Sequence, residues 1–251
     1  MRIARLLCAA ALAATAIAGP AAAAATLVHA YDFKTGNGGL VLDSVGGANG
    51  QLLNGASVAG SALVLDGLDD YVQFGAKIVD TAGPFSVYLR AEFQPDLQGI
   101  TELISQGFSG GPGFYIGEDG AGGFRLGDYV APSGLGVPAV GGFHDLLLTF
   151  GAGALSFSID NATPFTTAFG GFTTGGVDTR LGHQFCCAEY FHGRLDTLKT
   201  FDGVATYAEA TGAGGGVPEP QAWAMMILGF FGAGVLLRRR PGPGAIARAP
   251  A

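Results

Sequence analysis

The sequence predicts an all-β domain built as a two-sheet antiparallel sandwich. Short apolar runs of strand length recur through the middle of the chain, turn-forming clusters of Gly, Asn and Asp separate them, and helix-length periodic stretches are few. The 251 residues include 44 Gly and 18 Phe. Glycine supplies tight reversals and phenylalanine supplies large rings to bury between them.

Taken in order, the strand-length runs are 27–33, 62–65, 71–74, 85–93, 102–105, 113–116, 124–126, 145–150, 155–160, 180–182 and 194–201. Each has the β-branched, aromatic or Leu content that a pleated, half-buried surface favours. So many strands in one domain require two packed sheets. The connections 36–39, 46–50 and 66–70 carry Gly, Asn and Asp, which supply positive-φ positions and Asx turns.

Both ends of the chain read as targeting segments. Residues 1–25 have a basic start (Arg2, Arg5), an apolar stretch and a run of small residues ending at Ala25, the layout of a secretory signal cut by signal peptidase. At the other end, Val217-Pro218-Glu219-Pro220 leads through Trp223 into an apolar run, 222–237, that stops at Arg238-Arg239-Arg240. Two prolines hold the chain extended, Trp223 suits a membrane interface, and the arginines mark the cytoplasmic side. The run is 16 residues, short of the roughly 20 that a membrane span needs. A tail, 241–251, follows, and a Gly-rich stretch, 206–217, reads as a flexible linker.

Between the ends lies one domain, 26–205. Residues 26–217 carry seven Lys and Arg against 19 Asp and Glu, a net charge of −12 where the whole chain has −7. That balance argues against nucleic acid and leaves hard cations as partners.

The segment 217–240, with Pro218, Glu219, Pro220, Trp223, Arg238, Arg239 and Arg240, resembles the PEP-CTERM sorting signal of Gram-negative bacteria. The resemblance implies recognition by an exosortase, cleavage near the prolines, and transfer to the cell surface or extracellular matrix. The body resembles the laminin-G-like, concanavalin A-like jelly roll. The residues that carry it are Tyr31-Asp32-Phe33, the 42–50 turn, the 60–72 hairpin (GSALVLDGLDDYV), Pro84-Phe85-Ser86-Val87, His144-Asp145-Leu146, Ser158-Ile159-Asp160-Asn161 and Phe191 to Leu198. Leu89 stands where the family has Trp and Asn161 where it has Gly. The related glycanases set two glutamates and an Asp along one strand face, and this chain has no such spacing among Glu92, Glu102, Glu118, Glu189 and Glu209.

No catalytic residues are assigned from sequence. The acidic turns make Asp43, Asn49, Asp69 and Asp70 candidate Ca²⁺ ligands, the cofactor that the family resemblance implies. Cys186 and Cys187 are adjacent and point to opposite faces of an extended segment, which disfavours a zinc cluster with His183 and His192. A vicinal disulfide is the preferred reading, with free or intermolecular thiols as the alternative. The function expected is a non-catalytic surface module, secreted and exosortase-sorted, that binds exopolysaccharide or another protein. The alternatives are a glycan-processing enzyme of the concanavalin A-like fold and a purely structural matrix or adhesion protein.

Overall fold

The computed structural model describes residues 24–95, 99–107, 114–126, 135–172, 178–185 and 187–213. The sorting segment 218–240, the tail 241–251 and all but the last two residues of the 1–25 signal lie outside them. No helix among the described residues is long and apolar enough to cross a membrane. The chain divides into two units, 1–210 and 211–251, and of the second only 211–213 are described.

The elements in chain order are β1 (Thr26–Tyr31), β2 (Leu40–Val41), β3 (Gly50–Leu53), β4 (Ser57–Ala59), β5 (Ala62–Asp66), β6 (Tyr71–Gln73), β7 (Phe85–Phe93) and β8 (Ile100–Gln106). They continue with β9 (Phe114–Asp119), β10 (Phe124–Leu126), β11 (Phe143–Gly151), β12 (Ala154–Ile159), β13 (Phe165–Ala168), β14 (Thr179–Leu181), β15 (His192–Asp202) and α1 (Tyr207–Thr211). The strands form two antiparallel sheets. The first runs β13-β12-β11-β7-β15-β5-β4, with β1 also on β15, and the second runs β10-β9-β8-β14-β6-β3-β2. The sequence-predicted all-β sandwich is what the chain adopts. All 11 predicted runs fall on strands, and β2, β3, β4 and β13 are additional.

Strand β7 shows how alternation builds the layers. Val87, Leu89, Ala91 and Phe93 point into the core, while Tyr88 joins Leu147, Phe201, Ala205 and Ala210 in a small cluster on the other face. Rings lock the two sheets together. Phe85 meets Phe114 edge-on at 5.5 Å, and Phe93 meets Phe124 at 6.0 Å and Phe191 at 5.5 Å. All five are buried, so truncating one to Ala costs about 3–5 kcal/mol.

Candidate active site

Glu102 occupies an unusual place, a carboxylate in the middle of a buried strand. Its pairing to Gly117 is followed by a bulge, because Ile104 pairs with Ile116 and leaves Leu103 as the extra residue. A bulge re-aims the side chains beside it. Glu102 N–H donates to the carbonyl of Glu189 at 3.3 Å, and Glu102 forms a parallel bridge with Tyr190. The bulge thus lets the returning segment 187–190 lie against β8.

On β10, Phe124 and Leu126 enter the core and Arg125 between them faces away from it. Its Nη2 donates to Glu102 Oε1 and, at 2.7 Å, to Glu189 Oε2. The Tyr115 ring lies 5.8 Å from the guanidinium carbon and supports the cation. The Glu102 side chain is fully buried, whereas Glu189 and Arg125 keep 17% and 18% of theirs exposed. Glu102 Oε2 and Arg125 Nε are buried without hydrogen-bond partners among the described residues. Two carboxylates held by one nitrogen have oxygens no more than about 6 Å apart, the sum of two hydrogen-bond lengths.

Sequence reasoning missed this pair because it looked for glutamates spaced along one strand. Glu102 and Glu189 come from β8 and a distant loop, and only the fold brings them together. One signal was present: Glu102 within 100–106 and Arg125 within 124–126 are charges set between core residues.

The four candidate Ca²⁺ ligands separate into two turns with different tasks. The Asp43 carboxylate takes His29 Nδ1 at 2.6 Å and the N–H groups of Ala30, Val45 and Ala48 at 3.0 Å each. Burial alone would raise its pKa, but these bonds outweigh burial and bring it down to about 2. Asn49 Oδ1 accepts the N–H of Asp43 at 2.9 Å. Asp43 and Asn49 therefore hydrogen-bond within their own turn.

Asp69 and Asp70 are joined by Asp66, with ligand oxygens within 4.8 Å of one another. Asp66 Oδ1 caps the turn by accepting Leu68 N–H at 2.8 Å, and Gly67 supplies the positive φ of 75° that the reversal needs. Asp70 Oδ2 accepts Asp66 N–H at 3.1 Å, while its Oδ1 is buried without a hydrogen-bond partner among the described residues. Burial, with Asp66 and Asp69 adding to it, raises the Asp70 pKa.

The sulfur and imidazole groups settle into other roles. Cys187 is disulfide-bonded, and Cys186 lies outside the described residues. His192 Nδ1 lies 2.9 Å from the Pro95 carbonyl. His183 stacks on Tyr190 at 4.1 Å, and burial followed by the Arg180 charge lowers its pKa to about 4.

No family model matches the chain, and no similar protein is found among curated ones. Solved structures share the fold. A Trypanosoma rangeli sialidase in complex with sialic acid matches 74% of this chain at 14% identity with a TM-score of 0.58, and this chain spans 32% of it. Domain 4 of a GH43 extracellular arabinanase from Geobacillus stearothermophilus, in complex with arabinotriose, matches 75% of this chain and 98% of its own at 19% identity and TM-score 0.56. The receptor binding domain of botulinum neurotoxin D matches 72% and 50% at 12% identity and TM-score 0.50. At these identities the likeness is one of fold. The expectation of a non-catalytic binding module is corrected: the structures that share the fold include a sialidase and a domain of a GH43 arabinanase.

Proposed function

We propose that this chain is a glycan-processing enzyme in which Glu189, braced by Arg125 against the buried Glu102, acts on a glycosidic bond. The observation that carries this reading is the convergence of Glu102 and Glu189 on Arg125, with Glu189 open to solvent. Glu189 reaches solvent and is assigned the acid–base role, giving a proton to the leaving glycosidic oxygen and later taking one from water. Glu102 is fully buried with its Oε2 against Gly117, so it does not touch the glycan; it fixes Arg125, which positions Glu189, while water attacks the anomeric carbon. Arg125 holds the two carboxylates in register and lowers the repulsion between them.

The test is reducing-sugar release by the full-length chain from arabinans and sialoglycans, with the anomer of the first product read by NMR. Release that is lost in Glu189→Gln and weakened in Glu102→Gln is the expected result. Absence of release from every glycan, or full activity in both variants, overturns the assignment.

A divalent cation, Ca²⁺ by the hardness of its oxygen ligands, is proposed at Asp66, Asp69 and Asp70. The observation behind it is the buried, unpartnered Oδ1 of Asp70 beside two further carboxylates.

A further inference from the structure

The outer face of the second sheet carries more than Glu102, Arg125 and Glu189. Glu102 pairs with Gly117 and Ser105 with Tyr115, while Arg180 on β14 pairs with Ser105 and, on its other side, with Gln73 of β6. Paired residues share a face, as do residues two apart on one strand, so Arg180, Gln73 and Tyr71 stand on the same side as Glu102. From Glu102 to Ser105 along β8 is roughly 7–10 Å at the ordinary strand rise, and Arg180 lies one strand across.

Four arginines lie among the described residues, and three have carboxylate partners. Arg90 pairs with Asp145 and Asp196, Arg125 with Glu102 and Glu189, and Arg194 with Glu92. Arg180 forms no ion pair among the described residues, although residues 26–217 carry a net charge of −12. Rings fix its guanidinium instead: the central carbon lies 4.2 Å from the Phe185 ring centre and 5.2 Å from that of Tyr71. Nη1 donates to the Gln184 carbonyl at 3.2 Å and Nε is buried, whereas Nη2 is neither hydrogen-bonded among the described residues nor buried. The neighbours leave the charge uncompensated. Asp178 is turned to Gln73 Nε2 and the Gly75 N–H, and His183 is neutral at pH 7, its pKa lowered to about 4 by burial and by Arg180.

We propose that Arg180, flanked by Tyr71 and Phe185, is a subsite for the carboxylate of an acidic sugar in the glycan that Glu189 acts on. A guanidinium held by rings offers a fixed donor edge, which suits a planar carboxylate better than a neutral hydroxyl. Tyr71 and Phe185, both half-buried, add ring surface for the C–H face of the sugar. The subsite rests on the Glu189 reading for its place in the reaction, while the carboxylate contact stands or falls on binding.

Binding is measured by calorimetry on the full-length chain carrying Glu189→Gln, so that turnover does not consume the probe. The probes are trigalacturonate and its uncharged methyl ester. Trigalacturonate should bind more tightly than the ester, against the repulsion of the acidic body. Adding Arg180→Gln should weaken trigalacturonate about tenfold to a hundredfold, the worth of a charged hydrogen bond, and leave the ester unchanged, which shows that the variant is folded. Arg180→Lys keeps the charge without the fork and should fall between. No binding of either probe, equal affinity for acid and ester, or undiminished affinity for trigalacturonate in Arg180→Gln overturns the proposal. Binding that depends on Arg180 in a chain that hydrolyses no glycan counts against the Glu189 reading alone.

Discussion

Gly117 lies directly beneath Glu102. A β-carbon on Gly117 would come within 2.5 Å of Glu102 Oε2 and would also meet the Thr101 carbonyl. The absence of a side chain on β9 is what lets a carboxylate lie flat on the sheet and reach Arg125. Gly117→Ala is therefore expected to lose about 1–3 kcal/mol in chemical denaturation, the usual cost of overpacking. The penalty should shrink in a Glu102→Ala background, since part of the clash is then gone. An equal penalty in both backgrounds would assign the whole effect to the Thr101 backbone.

Arg125 is the cation that makes two carboxylates tolerable at this place. Arg125→Met should destabilise the domain by about 3 kcal/mol, the lower end for removing one partner of a buried ion pair, because Arg125 and Glu189 keep some contact with water. Glu102→Gln retains an acceptor for Arg125 and should cost less, about 1–2 kcal/mol. Urea unfolding of both variants decides between them. If Arg125→Met is as stable as the parent, the triad contributes nothing to the fold.

The fold was legible where strands are long and alternate cleanly. Runs 85–93 and 194–201 coincide with β7 and β15 nearly end to end, since Val87, Leu89, Leu195 and Leu198 all point into the core. The strands not foreseen are short and lie at or next to sheet edges. β2 has two residues, β4 has three, and β13 (Phe165–Ala168) is an outermost strand with two exposed residues. Edge strands need less apolar content, so composition marks them poorly. Asp69 and Asp70 were legible as an acidic turn, and Asp66 joins them through the folded turn, where its Oδ1 also accepts Leu68 N–H. The pairing of Glu102 with Glu189 was not legible, because it depends on a β-bulge and on a loop returning across the sheet. Neither has a local sequence pattern.

His183 sets a pH window. Its folded pKa, about 4, lies below the 6.5 of an ordinary histidine, so the unfolded chain binds a proton that the folded chain refuses. Stability is unaffected above pH 6.5 and falls as the pH drops from there toward 4, by on the order of 2 kcal/mol. Asp43 adds a second, lower window. Its stabilisation is complete above its ordinary value of 3.8 and is lost as the pH falls toward 2. Thermal melts from pH 8 to 3 should show the first decline in the parent and not in His183→Phe, which keeps a ring against Tyr190. The same decline in both proteins would remove His183 as the cause.

The last prediction concerns the cation at Asp66, Asp69 and Asp70. Without it, the folded state holds Asp70 at a raised pKa. The folded carboxyl takes a proton more readily than the unfolded one, and its ionisation costs stability as the pH rises above the ordinary carboxylate range. A bound Ca²⁺ removes that cost, and at a hundredfold excess over its dissociation constant it stabilises by about 2.7 kcal/mol. For a domain of this size that corresponds to a rise in melting temperature of roughly 5–10 °C. Asp70→Asn tests the same point from the other side. At neutral pH without calcium it should melt above the parent, because a buried charge is gone, and it should respond little to added calcium. Magnesium and sodium chloride at matched ionic strength control for screening of the acidic surface. If calcium and EDTA leave the parent's melting temperature unchanged, the three aspartates form a turn and hold no ion.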